Sequence, residues 1–235
     1  MTQPVSARGG KSVAIMQPYF FPYLGYVGLM ARVDEFVVLD SVQFPRRGRV
    51  HRCQVPHHGR EEWLTLPVAP SARDTLISEL TFSPDAQESW RERLAKFPWA
   101  SGNGDVRDGL VIRETRVADY LVRQLTMIRD LFGLTCSISR SSELDLPEGR
   151  DARGRLIKIA QQRGATTYIN AAGGRALYAD APFRDAGLTL AFMPPYEGKF
   201  QHLLPALCTG KLAEARTELA EYNGLPLIGA ARADA

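Results

Sequence analysis

Two short, almost wholly apolar runs, Val13-Ala14-Ile15-Met16 and Glu35-Phe36-Val37-Val38-Leu39, flank a segment over residues 25–33 whose apolar side chains recur with helical spacing. Runs of that kind suit strands covered on both faces of a sheet. Strand, helix, strand is a βαβ unit, with a crossover expected to be right-handed. The second half keeps the rhythm. Val117, Tyr120, Leu121, Leu125, Ile128, Leu131 and Phe132 form a helical stripe, Gly133 is placed to cap it, and residues 134–139 read as a strand. Leu156, Ile157, Ile159 and Ala160 mark another helix stopped by Gly164, with a strand over 166–170 behind it. The pattern predicts an α/β fold with a largely parallel sheet and covering helices.

Residues 188–192 add a further expected strand, and residues 212–222 a closing helix. Residues 50–55 and 63–68 are expected to pair as a hairpin across the loop 56–60. A helix is expected over 87–96. Residues 1–10 read as a polar, disordered tail ahead of a domain over 11–235, and 141–155 is the candidate boundary between two lobes.

With 235 residues, 45% of them hydrophobic, the chain can bury a sizeable core. A net charge of +3 is small for that length, and the basic stretch Arg46-Arg47-Gly48-Arg49-Val50-His51-Arg52 is short, so nucleic-acid binding is not expected. Cys53, Cys136 and Cys208 are widely spaced and form no CxxC pair, which fits a reducing compartment without a disulfide framework. No apolar run approaches membrane-spanning length, and residues 1–11 lack the apolar centre of a signal peptide. A cytoplasmic protein without membrane partners is expected.

The chemistry centres on Gln17-Pro18-Tyr19-Phe20-Phe21-Pro22-Tyr23-Leu24-Gly25-Tyr26, a turn rich in proline and aromatic residues at the end of the first strand. Ligands of open α/β sheets bind at the carboxyl ends of strands. Asp40 ends the second strand, with Gln43, Arg46, Arg47 and Arg52 just beyond it. Asp40 is placed to act as a general base, and the arginines to hold a carboxylate or phosphate. The competing reading is a turn capped by Asp40 and a solvated arginine loop. His51, His57, His58 and His202 show no metal-ligand spacing, so no metal site is expected. Gly173-Gly174 follows the strand ending at Asn170, where backbone amides could meet an anion, although a plain turn explains the pair as well.

The first block, residues 15–26, then Asp34-Glu35-Phe36-Val37-Val38-Leu39-Asp40-Ser41-Val42-Gln43-Phe44 and Trp63-Leu64-Thr65-Leu66-Pro67-Val68, resembles the WbqC-like family. The likeness continues more loosely through Gly164-Ala165-Thr166-Thr167-Tyr168, Tyr178 and Tyr196. The family is associated with bacterial surface-polysaccharide clusters and with small-molecule biosynthesis. The resemblance implies transfer of a glycine-like aminoacyl or acyl group onto an amine such as an amino sugar, from an activated donor that includes carrier-bound forms. It places Gln17, Tyr19, Tyr26, Asp40, Gln43 and Arg52 at recurrent polar positions. Arg49, His51, Cys53, His202 and Pro205 depart from the family pattern, which points to a different substrate.

These readings together nominate Asp40 and His51 as catalytic. They nominate Gln17, Tyr19, Tyr23, Tyr26, Gln43, Arg47, Arg52, Tyr168, Asn170, Tyr178 and Tyr196 as substrate-binding. Cys53, two residues from His51, is a further nucleophile candidate set against a buried structural thiol. Two alternatives stay open. Tyr23-Leu24-Gly25-Tyr26 opening a helix resembles the HxGH turn of nucleotidyl-transferring enzymes, which would bring in ATP, although both histidine positions are tyrosine. A sugar-binding protein without catalysis would use the same aromatic turn.

Overall fold

A computed structural model describes residues 9–102, 106–146 and 151–229. Most of the expected tail therefore lies outside the described residues, as does part of the expected boundary. The elements run β1 (Lys11–Met16), α1 (Leu24–Ala31), β2 (Glu35–Val38), β3 (Arg52–His57), β4 (Arg60–Thr65), α2 (Ala86–Ala95) and α3 (Val117–Leu131). They continue with β5 (Ser137–Arg140), α4 (Ala152–Gln162), β6 (Ala165–Asn170), α5 (Asp180–Asp185), β7 (Thr189–Phe192), α6 (Leu203–Cys208) and α7 (Leu212–Asn223).

β1, β2, β5, β6 and β7 form one all-parallel sheet in the order β5-β2-β1-β6-β7. The expected α/β class with a parallel sheet is borne out. The alternation of side chains along each strand explains its two buried faces. Ala14, Phe36, Val38 and Ile169 pack on one face with residues of α1, α3 and α7. Val13, Ile15, Val37 and Tyr168 pack on the other with Leu156, Ile159 and Phe183 from α4 and α5. Each fully buried aliphatic side chain contributes about 1.5–3 kcal/mol.

Strand order then fixes where a ligand crevice falls. From β1 the chain steps outward to β2 and β5, then crosses back to place β6 on the other side of β1. The order reverses between β1 and β6, and crevices form outside the carboxyl ends of the strands at such a reversal.

The hairpin is tighter than expected. β3 and β4 pair from Arg52↔Thr65 to His57↔Arg60, leaving His58 and Gly59 as a two-residue turn with φ of 47° and 74°. Positive φ at both positions is the type I′ geometry that matches strand twist. This hairpin, α2 and α6 surround a second apolar core reached by Phe20, Phe21 and Leu24 from the β1–α1 turn. The short helices α5 and α6 had no signal strong enough to be anticipated. Gly133 and Gly164 end α3 and α4 at φ of 64° and 67°, as the spacing predicts.

At the opposite end of β2, Glu35 is 4% exposed, with Lys11 Nζ at 2.6 Å and Arg163 Nε at 3.0 Å. Ser139 Oγ also donates to its carboxylate. Burial pushes the Glu35 pKa up, but the Lys11 and Ser139 hydrogen bonds and the Arg163 charge outweigh it and hold it below its usual value.

Candidate active site

The β1–α1 turn is held from three directions. Phe20 N donates to Arg49 O at 2.9 Å, Leu24 N to Phe200 O at 3.1 Å, and Phe21 N to the Gln124 side chain at 3.2 Å. Phe21 sits at φ 39°, a left-handed conformation that costs a non-glycine residue about 1–3 kcal/mol. Burial of its ring and the bond to fully buried Gln124 offset that strain. Gln124 was not foreseen, because it lies outside the apolar stripe of α3.

This bracing fans the tyrosines out at the strand ends. Tyr19 stacks on Tyr26 with centroids 5.2 Å apart, and Tyr23 lies 5.9 Å from Tyr196, which meets Tyr222 edge-on at 5.2 Å. Tyr26 is fully buried and donates to Gln17 O at 2.9 Å, so it supports the turn and offers no hydroxyl to a ligand. Tyr196 Oη donates to Glu218 and accepts from Phe200 N at 3.0 Å, fixing the ring. Burial raises the Tyr23 pKa, with a smaller push from Tyr19 and a partial offset from the Arg49 charge. Arg49 Nη2 donates to Gln54 Oε1 at 3.1 Å and its guanidinium lies 5.7 Å from the Trp63 ring, which ties it to the hairpin. The sequence marked it only as a departure from the family pattern.

Asn170 ends β6, 7% exposed, with its carbonyl accepting from Met193 N and its Oδ1 from Ala171 N, both at 2.8 Å. A Cβ at Gly174 would lie 2.4 Å from Asn170 Nδ2, so the Gly173-Gly174 pair lets the amide pack against bare backbone. Among the described residues, the Gln17 and Asn170 amide nitrogens donate to no protein acceptor. Tyr19, Tyr23 and Tyr196 pack on the α1–α7 face of the sheet, and Gln17 and Asn170 stand at the adjacent ends of β1 and β6.

The other nominated residues are placed elsewhere. Asp40 is fully buried, and all four acceptor directions of its carboxylate are occupied. Oδ1 accepts from Ser141 Oγ at 3.2 Å and Ser142 N at 2.9 Å, and Oδ2 from Arg140 Nε at 2.7 Å and Ser142 Oγ at 2.8 Å. The expected crevice between the β1 and β2 ends gives way to a clamp joining β2 to β5, and Asp40 has no lone pair for a substrate proton. His51 shares no partner with Asp40 and instead meets Phe44 edge-on at 4.9 Å. Its pKa is lowered to about 4, first by burial and then by Arg52, so it is neutral at pH 7.

Gln43 donates to Arg73 O at 2.7 Å on an exposed loop. Arg52 donates to the carbonyls of Arg47 and Gly48 and covers the Trp63 ring at 4.1 Å, which ties it to the hairpin. Arg47 is exposed in the same loop. Tyr168 is 1% exposed and stacks on Phe183 at 5.4 Å, and Tyr178 meets Phe183 at 6.1 Å, so both serve the α4–α5 face of the sheet. Cys53 lies in the hairpin core, 5% exposed, with its thiol pKa pushed far up by burial, the surroundings of a structural thiol. Among the described residues no group of three or more His, Cys, Asp or Glu side chains could hold a metal ion, and no helix is long and apolar enough to cross a membrane.

The sequence matches the WbqC-like protein family over residues 17–204, a span that includes the aromatic turn, the end of β6 and Tyr196. The chain belongs to that family. It is also similar to the uncharacterized protein Rv1507c of Mycobacterium tuberculosis (strain ATCC 25618 / H37Rv), 26% identical over 199 residues that cover 80% of this chain and 84% of the relative. No solved structure matches. Family membership leaves the reaction to be argued from the site.

Proposed function

We propose that this WbqC-like protein is a biosynthetic group-transfer enzyme that forms an amide between an activated acyl or aminoacyl donor and an amine-bearing sugar. The observation that carries this reading is the set of groups at the reversal between β1 and β6. Aromatic ring faces suit a sugar, and two amides suit hydroxyl and carbonyl oxygens. In the reaction, the amine nitrogen attacks the acyl carbon and the activating phosphate or thiol departs with its bonding electrons. The proton lost from nitrogen passes to the leaving group or to water.

The amides of Gln17 and Asn170 are suited to receive the developing oxyanion. Amides and phenols make up this set, and Asp40 is locked in its own clamp, so catalysis rests on positioning. Alignment of two bound reactants supplies about 7–11 kcal/mol of barrier reduction in favourable cases. The same composition favours, as a second reading, a sugar-binding protein that performs no chemistry. Use of ATP finds less support, since both HxGH histidine positions are tyrosine and Tyr26 is committed to Gln17 O.

Thermal shift and mass spectrometry on the purified protein separate these readings. Amino-sugar nucleotides are paired with ATP plus glycine, acyl thioesters or aminoacyl carriers. A mass gain on the acceptor that falls at least tenfold in Gln17→Ala and Asn170→Ala supports transfer. Stabilisation without product supports binding alone, and neither effect removes the sugar assignment.

A further inference from the structure

A second cavity, of about 510 Å³, opens between the N-terminal part of α2 and the chain that follows β4. Its lining includes Arg46, His51, Ser83, Asp85, Ser89 and Arg93. We infer that this cavity binds a small oxyanion, a phosphate or carboxylate group, at a site separate from the β1–β6 crevice.

The arginines carry the argument. Arg93 Nη1 donates to Thr65 O at 2.6 Å, and Arg46 Nη2 to Ser71 O at 2.6 Å and Ala72 O at 2.9 Å. These bonds fix both guanidiniums while leaving Nε and one terminal nitrogen of each without a protein acceptor among the described residues. Neither arginine has a carboxylate partner among those residues. Two oriented forks with unused donors are suited to an anion.

His51 gives an independent observation. Its Nδ1 is buried without a hydrogen-bond partner, and its Nε2 bonds to no described residue. The ring is half-buried, and a buried ring nitrogen without a partner calls for an explanation. A neutral ring lining the cavity supplies one N–H to an anion. Among the described residues the Ser83 and Ser89 hydroxyls have no protein acceptor, and they add two more donors. Asp85 is the one carboxylate of the lining and is exposed, so the lining keeps a net positive charge.

A comparably large cavity, about 470 Å³ between α2 and Leu110–Ile112, is mainly apolar and offers no such convergence. The basic stretch near residue 46 thus finds a role, although not in the crevice where the sequence places it.

The test is NMR titration of the His51 imidazole with inorganic phosphate and, separately, acetate, against sodium chloride at matched ionic strength. A saturable shift with phosphate, acetate or both is expected, and the stronger arm identifies the ligand chemistry. Arg46→Ser and Ser89→Leu, each checked for unchanged melting temperature, should weaken binding at least fivefold. Arg93 is left intact because it also holds the β4 carbonyl. Gln17→Ala should leave the titration unchanged, which separates this site from the sugar crevice. A linear response, a response equal to that of chloride, or saturation indifferent to both variants would overturn the inference.

Discussion

Arg140 Nε donates to Asp40 Oδ2 at 2.7 Å, while Asp40 has no solvent exposure at all. Arg140 reaches on to Asp119 at 2.6 Å, so one guanidinium links the end of β2 to the first turn of α3. The carboxylate that the sequence offers as a catalytic base is thereby a structural clamp.

Replacing Asp40 should therefore be felt first in stability. Asp40→Ala leaves Arg140 and two serine donors facing an empty acceptor site, at a cost of about 3–5 kcal/mol. Asp40→Asn costs less but still turns an amide N–H toward a donor. Urea denaturation should show a lower midpoint for both, Asp40→Ala the lower. A wild-type midpoint in Asp40→Asn combined with loss of turnover would restore the catalytic role.

Gly25 controls the spacing of the crevice rings. A Cβ there would lie 2.5 Å from Tyr23 Cε2 and 2.6 Å from Tyr196 Cβ, so Gly25→Ala must push the two tyrosines apart. Overpacking of this kind costs about 1–3 kcal/mol. The variant should fold, melt at a lower temperature and lose ligand-induced stabilisation. Full retention of that stabilisation would place the ligand away from Tyr23 and Tyr196.

The strands, the glycine-capped helices and the aromatic turn were legible because each is a local pattern: a short continuous apolar run, a 3.6-residue stripe, a cluster of prolines and rings. The strand order was not legible, and it decides the site. Nothing in residues 165–170 says that they pair with β1 on the side away from β2, yet that pairing moves the crevice from Asp40 to Asn170. Tyr168 and Asn170 illustrate the same limit, since they share one face of β6, yet Tyr168 is sealed against Phe183 while Asn170 stands at the strand end. The surroundings of Asp40 were not legible because its partners, Arg140, Ser141 and Ser142, lie about a hundred positions away in the chain.

Acid should weaken the fold through Glu35. Its folded pKa lies below its ordinary value of 4.5, so the unfolded chain binds the proton more readily and stability rises with pH in that range. The contribution is present above about pH 4.5 and is lost as pH falls through the folded pKa. Glu35→Gln should be less stable at neutral pH and show a flatter acid limb in melting-temperature profiles. Parallel profiles for wild type and variant would show that Glu35 carries no pH-dependent stability.

Cys53 should be chemically silent. Burial keeps the thiol protonated, and only the thiolate reacts appreciably. Alkylation at pH 8 followed by mass spectrometry should leave Cys53 unmodified in the native protein and modify it once denaturant is added. Cys53→Ala should retain function while losing about 1–2 kcal/mol of packing. Rapid native modification would return Cys53 to the list of nucleophiles.

The central claim is that the ligand sits where strand order reverses between β1 and β6. Hydrogen–deuterium exchange with a saturating amino-sugar nucleotide tests it directly. The account predicts slowed exchange confined to residues 17–26, 170–178 and 193–200. Protection centred on residues 40–43 and 141–142, or no protection in the aromatic turn, would contradict it.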